Sequence, residues 1–146
     1  MTRFIMALAG SFLLASGSTA FADNTTLKLV ERATTDAVTD LGATGDTPGD
    51  LLTFANEIYD EKNAEKVGSD NGLCIRTNAG KAWECFWTLF LADGQITVAG
   101  PFLDAGDSTL AVTGGTGKYA GASGTMALHA RDKEGKEYDF TYSLSQ

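Results

Sequence analysis

From residue 26 onward, apolar and polar side chains alternate with a period of two. Leu27, Leu29 and Glu31 share one face, with Lys28, Val30 and Arg32 on the other. The same alternation aligns Leu52, Phe54, Asn56 and Ile58, then Trp83, Cys85, Trp87, Leu89 and Leu91. Near the end it aligns Met126, Leu128 and Ala130, then Tyr138, Phe140, Tyr142 and Leu144. A period of two is that of strands with one face buried. The pattern predicts strands over 26–33, 51–59, 72–78, 83–92, 95–103, 109–114, 123–132 and 136–144. Turn signals separate them: Asp93-Gly94, the run Asp104 to Asp107, a glycine-rich corner and Glu134-Gly135. No segment sustains a 3.6-residue period. Short strands joined by short turns suggest a closed antiparallel barrel or a sandwich. One connection is long, Ala33 to Gly49, and a loop of that length is usually functional or mobile.

The apolar faces point inward, because that removes them from water. Two polar side chains go in with them, Glu31 and Asn56. A carboxylate on such a face is costly unless it is paired, hydrogen-bonded or protonated. Glu31 is therefore either a strand-end group near water, paired with Arg76, or an acid in an apolar pocket. Cys74 and Arg76 share a face, and hairpin pairing sets Arg76 opposite Trp83.

The stretch AVTGGTGKYAGASG, from Ala111 to Gly124, has the look of a phosphate loop but not its spacing. Val112 stands where the first glycine of G-x-x-x-x-G-K belongs, and Tyr119 where the Ser or Thr belongs. Gly115, Gly117 and Ala120 satisfy a loose G-x-G-x-x-A, but that motif needs a helix behind it. The alternation after Ser123 is that of a strand, so the glycines are read as turns in a β-protein.

The N-terminus changes the picture of where the chain works. Arg3, an apolar run to Ala15 and the small-residue end Ala20-Phe21-Ala22 predict a secretory signal peptide over 1–22, cleaved before Asp23. A retained membrane anchor is the weaker alternative. Residues 23–146 then form one domain, secreted or periplasmic. The formal net charge is −8, and loss of Arg3 makes the exported part more acidic still. Such a chain is repelled by nucleic acid and by anionic membranes. Both cysteines, Cys74 and Cys85, lie in that part. A tight turn between Asn78 and Lys81 places them opposite one another, which predicts a disulfide. A metal site is disfavoured, since the single histidine, His129, is distant in sequence and on an outward face.

GDLLTFANEIYD, VGSDNGLCI, ADGQITVAGPFLDAGDSTLAVTGGTGKYAGASG and DFTYSL resemble the plant allene oxide cyclases, in order and at nearly matching spacing. The resemblance spans roughly 49–144, with a weaker match over 27–33, and VTGGTGKYAGASG also resembles the dirigent proteins. It implies an eight-stranded antiparallel closed barrel of calycin-like form, a ligand cavity and often a trimer. It also implies an unstable fatty-acid epoxide as substrate, closed to a cyclopentenone through an oxyallyl cation. Glu31 matches the family glutamate that helps the epoxide ionise, Asn56 the asparagine that helps hold a water on its oxygen, and Cys74 a cysteine beside the substrate chain. The chain departs from the family at Ala33, where a second asparagine is expected, at Cys85, and in its shorter loop without Ser-Pro. Ser123 replaces the dirigent arginine.

Two kinds of function follow. The first is an isomerase or cyclase, without cofactor, that steers a reactive apolar substrate. Its acid is Glu31 and its oxygen anchor Asn56. The walls are Phe54, Trp83, Trp87, Phe140 and Tyr142, with Cys74 and Arg76 on the same surface. The second is a non-catalytic barrel for an apolar small molecule, or a dirigent-like stereochemical guide.

Overall fold

The computed structural model describes residues 24–145, so the expected signal peptide lies outside the described residues. The strands are β1 (Asn24–Arg32), β2 (Ala37–Thr39), β3 (Leu51–Phe54), β4 (Glu57–Asp60) and β5 (Lys66–Asn78), followed by β6 (Ala82–Leu91), β7 (Gly94–Leu103), β8 (Ser108–Gly117), β9 (Ser123–Ala130) and β10 (Glu137–Ser145). They form one antiparallel sheet in the order β2-β3-β5-β4-β1-β10-β9-β8-β7-β6. A further β5–β6 pairing closes the sheet, which rules out the sandwich. Strands β3 and β4 are two halves of one stave, broken at Ala55 and Asn56, so the barrel has eight staves and β2 is an extra edge piece.

The inward alternation is as the sequence sets it. Leu29, Ile58, Trp87, Leu89, Ile96, Val98, Leu110, Met126, Phe140, Tyr142 and Leu144 are buried in one core. Each large side chain so buried contributes roughly 1.5–3 kcal/mol. Cys74 pairs with Cys85 across β5 and β6 and is bonded to it as a disulfide. The bond joins residues 11 apart, a short loop whose closure stabilises by about 2–3 kcal/mol in the chain-entropy picture.

Two strand boundaries differ from the pattern. Strand β5 starts at Lys66, well before residue 72. Its first half turns Gly68 and Asp70 inward, and neither is apolar, so the pattern hides it. Strand β8 runs through to Gly117, and the glycine corner is a β8–β9 turn with no helix after it. Gly117 takes a φ of 59° there, and a side chain would collide with the backbone of Asp93.

The long connection is neither bare nor loose. It carries β2, paired with β3, and is pinned to one end of the barrel. The carboxylate of Asp50 accepts hydrogen bonds from the Leu41 N–H at 2.9 Å and the Thr47 N–H at 2.8 Å. These bonds hold its pKa below the usual aspartate value. Arg76 supplies the second anchor. Its guanidinium lies 2.6 Å from Asp46 and 2.7 Å from Asp104, and 4.0 Å above the Trp83 ring.

Candidate active site

Glu31 is delivered by β1, where its backbone lies between Tyr138 of β10 and Ile58 of β4. Its side chain is buried at one end of a cavity whose wall includes Phe54, Trp87, Phe102, Tyr138 and Phe140. The Cys74–Cys85 disulfide and Leu52 complete one side, and Asp36 from the long connection stands at the rim. The aromatic rings interlock: Phe54 and Trp87 meet edge to face at 5.9 Å, and Phe102 and Tyr138 likewise at 5.9 Å. Gly72 lies opposite Trp87, where a side chain would collide with the Trp87 Cβ. The space left for water-sized molecules is only about 30 Å³. Ligand cavities for drug-sized molecules run to several hundred Å³, so a ligand of that size has to displace part of the rim. Phe54, Phe102 and Tyr138 are only half-buried, which makes them the groups to move.

The stave break brings in the second polar residue. Asn56 sits where β3 passes into β4, and its backbone exchanges hydrogen bonds with Asp70 of β5 at 2.9 and 3.0 Å. Its side chain is fully engaged. The Nδ2 donates to Glu31 Oε1 at 2.9 Å and to Asp36 Oδ1 at 2.8 Å. The Oδ1 accepts from the N–H of Thr34, the N–H of Thr35 and the Thr35 hydroxyl, all near 3.0 Å. An asparagine has two amide protons and a two-lone-pair oxygen, so none of its capacity is left for a substrate oxygen. Asn56 holds Glu31 and ties the long connection to it. The oxygen-anchor role expected from the resemblance is not available to it in this geometry.

Asp70 is the residue the pattern missed. It is buried, points inward and meets the Glu31 carboxyl. Neither of its oxygens has a close hydrogen-bond partner among the described residues. Two carboxyl groups can bond only if one carries a proton. Burial, then the Asp70 charge, push the Glu31 pKa well above the ordinary glutamate value, against the opposing pull of the Asn56 amide. Burial raises Asp70 to about 7, against the pull of the nearby Asn56 N–H and then of the Glu31 carboxyl. The pair therefore keeps a proton at pH values where separate carboxyls have lost theirs.

Three expected site residues are placed elsewhere. Arg76 does not pair with Glu31. It is taken by Asp46 and Asp104, which reach it from the long connection and the β7–β8 turn. Trp83 lies under Arg76, in an outer depression shared with Val38 and Asp50. Tyr142 stands behind Phe140, ring centres 6.5 Å apart, and does not face the cavity. Phe54, Cys74, Cys85, Trp87 and Phe140 do line it. Among the described residues, no three His, Cys, Asp or Glu side chains are grouped to hold a metal ion.

The allene oxide cyclase family model matches residues 28–132. Among solved structures, a pyocyanin demethylase is 27% identical over 81% of this chain and all of its own, with a TM-score of 0.69. A Diels–Alderase from Streptomyces koyangensis is 15% identical over 88% of this chain and 70% of its own, with a TM-score of 0.68. A pterocarpan synthase dirigent protein is 12% identical over 84% of this chain and 94% of its own, with a TM-score of 0.67. At those two lower identities the likeness is one of fold.

Proposed function

Since the chain belongs to the allene oxide cyclase family, we propose that it is an exported barrel that steers the cyclisation or rearrangement of a small, reactive apolar molecule. The observation that carries the proposal is the buried Glu31 carboxyl, held by Asn56 beside Asp70, in the wall of an aromatic cavity. Asn56 engages Oε1, which leaves Oε2 free of that bond. The proton that Glu31 shares with Asp70 can be handed instead to an epoxide or carbonyl oxygen of a ligand and help its bond polarise. The carboxylate left behind, with the faces of Trp87 and Phe140, then stabilises positive charge on the ligand. The packed rings restrict the ligand to few conformers, which is where stereocontrol comes from. The proteins it resembles are named for a demethylation and for a cycloaddition, so the fold does not choose the reaction.

The test is Glu31→Gln, which keeps the shape and removes the acid. An allene oxide made in situ from a fatty-acid hydroperoxide, with a panel of simpler epoxides, serves as probe. The variant is expected to lose about 100-fold in rate or its product stereochemistry, with thermal stability unchanged or raised. Equal rates and products in both proteins would remove the enzyme reading. The narrow cavity favours the alternative in that event, a barrel that binds an apolar molecule without changing it.

Export and self-association are part of the same proposal. Ile75 and Phe86 stand 44% and 52% exposed on the outer face of β5 and β6, an apolar patch suited to a second copy. Native mass spectrometry of protein from its source should give a trimer of chains that begin at Asp23. A monomer, or a chain that keeps its first residues, would contradict the respective half.

A further inference from the structure

The cavity beside Glu31 is too small for the molecule it is read to hold, and the fold shows where the rest of that molecule can go. Phe102, Leu128 and Tyr138 line the cavity, and the same three residues line an open groove of about 260 Å³. The groove lies at one end of the barrel, between the β7–β8 and β9–β10 turns, with Leu103 and Ala130 in its walls. Those walls are held in place. Asp104 is bound by Arg76 at 2.7 Å, and Asp132 accepts hydrogen bonds from the N–H groups of Lys136 and Glu137. The partition between groove and cavity is held by less. Phe102 is next to last in β7 and Tyr138 second in β10. Strands β8 and β9 stand between theirs, so no backbone ladder joins the two. Their half-buried rings meet only edge to face, at 5.9 Å. The Tyr138 hydroxyl lies against Gly135, at a place that a side chain would fill. The opposite end of the barrel is filled by the buried Ile96, Met126, Tyr142 and Leu144.

We infer that Phe102 and Tyr138 form a door, and that the groove outside it is a second compartment of the binding site, for the part of the ligand that does not react. This rests on the reading of the cavity as the reaction chamber and narrows the ligand that chamber takes. Sites that bury a drug-sized molecule start at about 300 Å³. The cavity and the groove approach that size only as one space, with the rings swung aside. The ligand class is therefore an elongated, largely apolar molecule. Its reacting end passes the rings to reach Glu31, and its remaining length lies along Leu103 and Ala130. A compact molecule would leave the groove unused and still overfill the cavity. Once the end is inside, the rings close on the middle of the ligand instead of on each other, which keeps water from the reacting end. Phe102 and Tyr138 are thus specificity-determining residues: they set which molecules enter and how fast.

The test uses N-phenyl-1-naphthylamine, an elongated neutral probe that fluoresces in apolar surroundings and offers no bond to rearrange. Stopped-flow fluorescence then reads the door without turnover. A failure here leaves the chemistry of Glu31 standing, and a failure of the turnover test leaves the door standing. Phe102→Ala and Tyr138→Ala each remove half of the door and should raise the entry and exit rates of the probe together, by at least about tenfold. Ala130→Trp puts a ring into the groove and should weaken probe binding by at least about tenfold. Ala130 is exposed, so that change costs the fold little. If one door variant does not fold, the other decides. Door variants whose entry rates match the wild type overturn the inference. So does an Ala130→Trp protein that binds the probe as the wild type does, and so does a probe that none of the four proteins binds.

Discussion

Between pH 5 and pH 8 the protein should lose stability as pH rises, with a melting temperature roughly 10 °C lower at the upper end. The sign follows from the buried pair. Glu31 and Asp70 both have folded-state pKa values above their ordinary ones, Asp70 at about 7 against 3.8. Above pH 4 to 5 the unfolded chain has released these protons and the folded chain has not. The folded state then binds more protons, so stability falls with pH until the folded-state values are passed. A displacement of about 3 units at Asp70 is worth on the order of 4 kcal/mol, and at least about 3 kcal/mol is expected to show across the window. The hydrogen-bonded carboxylates outside the pair work in a different range. Asp50, Glu57, Asp60 and Asp132 have lowered values, so their contribution is present above their ordinary pKa and disappears only below about pH 4. The stability maximum should therefore lie near pH 4 to 5. Thermal melts of wild type and Asp70→Asn across pH 3 to 8 check this. The variant should be flatter above pH 5, and a wild-type melting temperature that climbs from pH 5 to pH 8 would contradict the protonated pair.

The second large effect is expected at Arg76. Arg76→Met keeps the length of the stem but strips the charge, and so leaves Asp46 and Asp104 without their partner. It also removes the cation from the face of Trp83. Arg76 is buried while the two aspartates are partly exposed, so the low end of the range for a broken buried pair applies, about 3 kcal/mol. The damage should be local first. The amides of Leu41 and Thr47, now protected by Asp50, should exchange faster because the segment they belong to has lost its tether. Lys28→Ala, which breaks an exposed pair with Glu61, should leave the melting temperature unchanged. Denaturant melts with hydrogen exchange read both. If Arg76→Met behaves like Lys28→Ala, the clamp has no energetic weight.

The eight staves were legible because burying one face of a strand leaves a period of two that few other structures imitate. Glu31 and Asn56 stood out as polar residues on that face. Asp70 did not, because Gly68 and Asp70 occupy the inward places of KVGSDN and its one large apolar residue, Val67, faces out. The partner of Arg76 was misread for a related reason. Pairing register fixes which residues of neighbouring strands face each other, but Asp46 comes from a connection whose path obeys no register. The same connection uses up the hydrogen-bonding capacity of Asn56 through Thr34 and Thr35. Alternation shows which side chains go inside. It does not show what they meet when the partner arrives from a loop.

The disulfide is part of the cavity wall, since Cys74 and Cys85 both line it. A molecule with a strained or electron-poor carbon is attacked readily by thiolates, and Glu31 would only sharpen such a carbon. Joined sulfurs have no proton to lose and no thiolate to offer, so the oxidised wall would be inert toward an electrophile of the proposed kind. The reduced protein would instead place two thiols in the cavity wall. If the proposed reactive guest is correct, the redox history of a preparation bears on whether the wall can be alkylated by it, and protein made in a reducing cytosol should be expected to differ from protein that has passed through an oxidising compartment.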